Sequence, residues 1–166
     1  MDPDLIDPPR TGIAVINTTT GTLIGAEMIV EGDSTGDLTF NDAGDRAYLL
    51  AFSAQSSRLA VINTTTGALV GTPVEGTGGQ AFVVDYTDDH SRAFLTTLGD
   101  DTHITVINTT NSTQLAQTTT APGRPVTTNI PPLTLTDNGT AWIVTTEFTQ
   151  TTLTVINTTT GGALVV

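Results

Sequence analysis

Two histidines sit in acidic company, in Asp88-Asp89-His90 and in Asp100-Asp101-Thr102-His103. Imidazole and carboxylate are both metal-ligand types, so the first chemistry to weigh is a metal site. The chain pattern described below puts the first set in a turn before a strand and the second just after it. Six residues at ~3.3 Å each separate such ends by roughly 20 Å, too far for one coordination sphere. Both sets are therefore expected to be solvated turn residues. Asp100 and Asp101 could still help hold a cation at a loop, Ca²⁺ rather than Zn²⁺ because the ligands are oxygens. The D-x-D-x-D-G pattern of a dedicated calcium loop is not present.

Other reactive patterns are thin. Paired carboxylates could do acid–base chemistry, but the sequence sets no pair at a defined distance. Asp33-Ser34-Thr35-Gly36 is similar to an aspartic-protease D-T-G, yet it carries an inserted residue and has no second copy. P-loop, G-x-S-x-G and H-E-x-x-H patterns do not occur. No catalytic and no cofactor-binding residue is expected. Six N-x-S/T sequons begin at Asn17, Asn63, Asn108, Asn111, Asn138 and Asn157. Turns demand Asn and Thr in their own right, so a structural use is favoured over glycosylation.

The elements that carry these residues come from a repeat. VINTTTG occurs at 15–21, 61–67 and 155–161, with VINTTN at 106–111, so Val15, Val61, Val106 and Val155 are 46, 45 and 49 residues apart. A period near 45 accommodates four short strands. In residues 37–76, DLTF (37–40), AYLLAF (47–52), RLAVIN (58–63) and ALVGTPV (68–74) read as strands A to D of an antiparallel meander. Asn63 suits the C–D turn, and Gly67 supplies its residue with positive φ, as do Gly21 and Gly161. In the third copy Asn111 is expected to take that place.

Strand C is apolar almost without break, in Ile13-Ala14-Val15-Ile16 and Leu59-Ala60-Val61-Ile62. A strand apolar on both faces is covered on both faces, so each sheet should stack between two others. Ala47-Tyr48, Ala93-Phe94 and Ala141-Trp142 recur in strand B as small–large pairs, and all three aromatics are expected in the core. On that reading Trp142→Ala costs roughly 3–5 kcal/mol. The fold class is all-β: β-propeller blades, each a four-stranded antiparallel meander.

The pattern D-x-G-x-x-A-Y, followed by V-I-N-T-T-T-G-x-L-V-G-x-P, resembles the YVTN-type, surface-layer-type β-propeller repeat. It is most similar to the Thr-rich versions of actinobacterial, mycobacterial-like secreted or cell-envelope proteins. The resemblance covers nearly all of the chain beyond residue 11 and implies the propeller fold. That family has no shared catalytic motif, so it implies no site residue.

Counting strands gives about 3.5 blades: a half-blade over 12–36 with strands C and D only, then blades over 37–79, 80–131 and 132–166. Residues 1–11, with Asp2, Asp4, Asp7 and three prolines, read as a linker. Closed propellers have roughly four to eight blades. Two chains would supply seven blade-equivalents, but both half-blades are C–D halves and do not complete each other. The chain therefore reads as a segment of a larger propeller, with end faces exposed to self-association.

Composition narrows the role. The charge of −12 comes from 17 acids against five arginines without a lysine, a surface that repels nucleic acid. No apolar run of about 18 residues is present to span a membrane. Met1-Asp2-Pro3-Asp4 shows no signal peptide. Cysteine is absent and threonine supplies 37 of 166 residues, which suits strands, turns and an exported envelope protein, extracellular or in the cell envelope. The D–A and B–C loops share one propeller rim, where Glu31, Asp33, Asp37, Glu75, Asp100, Asp101 and Glu147 lie with Arg124 as the main counter-charge. The leading expectation is a non-enzymatic structural or interaction module, whose rim meets a protein or cell-envelope partner. The rival is an enzyme, or a carbohydrate- or cation-binding propeller, with Asp33, Asp37, Glu75 and Asp85 at the central channel of a closed ring.

Overall fold

The structure, a computed structural model, describes residues 9–126 and 133–164, apart from the side chain of Asp37. It is built of antiparallel strands. The first sheet is a two-stranded ribbon of β1 (Arg10–Ile16) and β2 (Leu23–Glu31). The second runs β3 (Ser34–Phe40), β4 (Arg46–Phe52), β5 (Ser57–Asn63), β6 (Ala68–Leu69) and β7 (Val74–Gly76), with β6 and β7 both on β5. The third repeats this order as β8 (Gln80–Tyr86), β9 (Arg92–Leu98), β10 (Thr102–Asn108), β11 (Thr113–Gln114) and β12 (Thr119–Ala121). The fourth has β13 (Arg124–Pro125), β14 (Leu133–Thr136), β15 (Thr140–Glu147), β16 (Gln150–Asn157) and β17 (Ala163–Leu164). These are β-propeller blades, three of them preceded by the C–D ribbon. The described residues contain no helix long and apolar enough to cross a membrane.

The expected strand D is broken into β6 and β7 at Val70-Gly71-Thr72-Pro73. Gly71 has φ +69°, and Pro73 has no N–H to give to the ladder. Strand A carries a bulge in two copies, between Thr35 and Leu38 in β3 and between Ala81 and Val83 in β8.

Three apolar seams join the four sheets. Ile13, Val15, Met28 and Val30 of the ribbon meet Ala47, Leu49, Ala51, Ala60 and Ile62. Tyr48, Leu50, Leu59 and Val61 meet Ala93, Leu95 and Ile107. Phe94, Ile104 and Val106 meet Ala141, Ile143 and Ile156. Alternate residues of one strand thus serve two seams, which is why β4, β5, β9 and β10 are buried on both faces along almost their whole length.

Two expectations are corrected. Tyr48 and Phe94 are buried, but Trp142 is 38 % exposed on the outer face of the fourth sheet. Its indole N–H donates to the Thr140 hydroxyl at 2.7 Å. The strand is where it was expected; among the described residues no further sheet covers that face. In the third C–D turn the left-handed residue is Ser112 (φ +54°) rather than Asn111. Counting from Asn63 and Asn108 aligns Ser112 with Gly67, and the Ser112 hydroxyl donates to the Thr72 carbonyl at 2.8 Å.

Leu38 and Phe40 are about half exposed on the face of β3 that looks toward the ribbon. The ribbon has strands C and D only, so nothing in it reaches over these two residues.

Candidate functional site

Each VINT turn is held by its asparagine. Asn17 Oδ1 accepts from the N–H groups of Thr19 and Thr20, Asn63 Oδ1 from Thr65 and Thr66, and Asn157 Oδ1 from Thr159 and Thr160. These turns lie at one rim, together with the A–B turns.

The opposite rim, where the D–A bends meet the B–C turns, is held by a second device. Thr11 Oγ1 donates to the Gly32 carbonyl at 2.9 Å, Ser57 Oγ to Gly79 at 2.8 Å and Thr102 Oγ1 to Gly123 at 2.7 Å. Each hydroxyl stands four residues before the valine of its VINT, and each acceptor glycine has positive φ. Asp101 Oδ1 adds to the third lock by accepting from the Gly123 N–H at 3.0 Å. This carboxylate therefore serves a loop-to-loop bond, while Asp100 is exposed beside it. Among the described residues no three acidic or histidine side chains converge as a metal site.

The predicted rim residues separate into groups. Glu31 and Glu75 come together on Arg58, whose guanidinium lies 2.7 Å from Glu31 and 3.4 Å from Glu75. Arg58, the first charged residue of β5, escapes a search for acids, and only the stacking of the ribbon on the second sheet reveals its role. Glu31 and Arg58 stand between two shallow clefts. One, of about 290 Å³, is bounded by Pro9, Ser53 and Gln55; the other, of about 380 Å³, by Thr72, Pro73 and Glu75. Asp33 is exposed, and its N–H donates to the Phe52 carbonyl at 3.1 Å. Arg124 lies on β13 opposite Thr146, next to the exposed Glu147 at the β15–β16 turn. Asp37 lies on β3, and its side chain falls outside the described residues.

The acids of the channel reading do not gather at one centre. Asp85 pairs with Phe94 near the end of β8, whereas Glu75 and Asp33 belong to the rim where β8 begins. Five residues of strand separate the two levels, about 16 Å at ~3.3 Å per residue. Asp85 is partly buried, and its Oδ2, closed off from solvent, has no hydrogen-bond partner among the described residues. Desolvation pushes its pKa up to about 6. The cleft of about 310 Å³ between β3 and β8 is lined by Leu50, Phe52, Phe82, Val84 and Tyr86, with Gly36 and Thr39.

Neither histidine is a free turn residue. His90 (φ +52°) stacks on Tyr48 with ring centres 5.8 Å apart and tilts against Tyr86 at 5.4 Å. Its carbonyl accepts from the Thr109 hydroxyl and from Tyr48 Oη. Burial pushes the Tyr48 phenol pKa up. His103, on β10 opposite Thr97, has Nδ1 3.1 Å from Thr120 Oγ1. Gly78 packs on its ring so closely that a Cβ there would fall 2.0 Å from Cδ2.

No protein-family model and no curated protein matches the sequence. Among solved structures, a β-propeller-like protein of Lactobacillus plantarum matches over 95% of this chain and 48% of its own, at 14% identity and a TM-score of 0.50. TolB of Acinetobacter baumannii matches over 86% of this chain and 34% of its own, at 10% identity and a TM-score of 0.45. The chain thus spans about half the length of the Lactobacillus plantarum protein, and the likeness shows the fold alone.

Proposed function

We propose that this chain is a non-enzymatic interaction module, YVTN-like propeller blades of an exported or cell-surface protein that present a stiff acidic rim to a basic protein or cell-envelope partner. The observation that carries this reading is the thrice-repeated bond from a strand-C hydroxyl to a D–A glycine carbonyl. It fixes the D–A bends that adjoin Asp33 and Glu75, and the third of these bends, at Gly123, packs against Glu147. A surface whose loops are already ordered loses little conformational entropy on binding. A net charge of −12 favours a cationic partner and speeds its encounter.

The test separates the rim from overall charge. Binding of an arginine-rich peptide is measured by calorimetry for two triple variants that each remove three charges. One carries Asp33→Asn, Glu75→Gln and Glu147→Gln; the other carries Asp42→Asn, Asp88→Asn and Asp137→Asn at the opposite rim. The first should weaken binding by about tenfold, close to 1.4 kcal/mol, and the second should do much less. Equal losses would mean that only bulk charge attracts the peptide, and the rim reading would fail. Turnover of a substrate would overturn the non-enzymatic part.

A further inference from the structure

The two end faces of the stack have the composition of interior seams. In the second sheet Tyr48, Leu50, Leu59, Val61 and Val70 pack toward the third. Phe94, Ile104, Val106 and Leu115, at four of these five positions in the third sheet, pack toward the fourth. In the fourth sheet the same five positions are Trp142, Val144, Leu153, Val155 and Leu164. They share one face, because Trp142 opposes Val155, Val144 opposes Leu153 and Val155 opposes Leu164. Trp142, Val144, Leu153 and Leu164 are all about 40 % exposed.

The ribbon carries the other half of a seam. The second sheet packs on the ribbon through Ala60 and Ile62, with Leu69 beside them. The ribbon's outward face bears Ala14, Ile16 and Leu23 at those positions, the same three residue types in the same register. Ile16 is 57 % and Leu23 50 % exposed. The strand-C and strand-D part of the face that fits the ribbon's inner side is thus present again on its outer side, without the strand-B part that Ala47, Leu49 and Ala51 supply in the second sheet. A second copy offers the surface with which such a face pairs, since Val15 of the inner side corresponds to Val155 of the fourth sheet.

We propose that the outward face of the ribbon in one copy of the 166-residue chain stacks on the Trp142–Leu153–Leu164 face of a second copy, head to tail. The contact continues the seam that the chain makes three times within itself. Being heterologous, it repeats, and two copies close when each ribbon meets the other's fourth sheet. Such a pair has eight blade positions, within the range of closed propellers. The half-blades remain half-blades; faces meet rather than missing strands being supplied.

The experiment is the solution mass by light scattering on a sizing column, with Ile16→Asp and Leu153→Asp as variants of the two faces. The wild type should run at twice 17.2 kDa. Each variant alone should run as a monomer. An equimolar mixture should regain a dimer, because one intact ribbon face and one intact fourth-sheet face remain between the two chains. Circular dichroism verifies that the variants fold; Leu23→Lys and Val144→Lys replace any that does not. Trp142 is the sole tryptophan and lies on the face, so its emission should shift to the blue as concentration rises. A monomeric wild type overturns the proposal. So does an Ile16→Asp chain that stays dimeric, which would mean fourth sheets pairing with each other, or a wild type that forms longer chains instead of a closed pair.

Discussion

Thr102 Oγ1 donates to the carbonyl of Gly123, 21 residues on, at 2.7 Å in a site closed to water. The same bond joins Ser57 to Gly79 and Thr11 to Gly32. A buried carbonyl that loses its donor bears its desolvation cost in full. Thr102→Val keeps the shape and removes the hydrogen bond, so it should lower stability by about 1–3 kcal/mol, read as a shift in the urea midpoint without a change in slope. An unchanged midpoint would mean that the bend is held by its backbone alone.

The strands were legible because their signal is local. An apolar run, an Asn-Thr-Thr turn and a Gly after it are all read within ten residues, and the VINT copies set the register. The hydroxyl bond was not legible, although Thr11, Ser57 and Thr102 stand in that register. It joins residues 21 or 22 apart that meet only after the chain has run through strand D and returned. Arg58 was missed for a related reason: Glu31 reaches it from the preceding sheet. Trp142 shows the opposite limit. The repeat identifies what kind of position it occupies, but not whether a neighbouring sheet is there to cover it.

Two glycines of the same motif should respond differently to substitution. Gly21 and Gly67 share a left-handed backbone, φ +69° and +63°. A Cβ on Gly21 would have open space, whereas one on Gly67 would fall 1.8 Å from the Ile24 carbonyl oxygen of the ribbon. Gly21→Ala should therefore cost about 1–2 kcal/mol, the penalty of the left-handed conformation. Gly67→Ala adds displacement of the ribbon and should cost clearly more. Equal losses in paired unfolding curves would show that the seam yields freely.

Two strand-B aromatics at equivalent positions make a second contrast. Phe94 is fully buried between the third and fourth sheets, and Phe94→Ala should cost about 3–5 kcal/mol. Trp142→Ala leaves no enclosed cavity, because one side of the indole already meets solvent. Its cost, measured where the chain is monomeric, should be about 1 kcal/mol, from the lost half-burial and the bond to Thr140. A loss as large as that at Phe94 would place a cover over the outer face.

Asp85 gives the fold a pH dependence of known sign. Its pKa rises from 3.8 to about 6 because burial disfavours the carboxylate. Between those values the folded chain holds a proton that the unfolded chain has released. The stability gained is complete below about pH 3.8 and is lost as pH rises through about 6. Asp89 runs the other way: the Ser91 N–H and Thr87 hydroxyl hold its carboxylate below the ordinary value, so its contribution fades only under more acid conditions. Acidification also relieves the repulsion of a chain at −12, so the wild type alone cannot isolate Asp85. Asp85→Asn can. The group is partly exposed, so the shift is discounted for screening, and the variant should gain roughly 1 kcal/mol above pH 7. That gain should shrink steadily as pH falls through about 6 toward 3.8. Urea unfolding of both chains at stepped pH reads the difference, and a difference independent of pH would mean that Asp85 is solvated as in the unfolded chain.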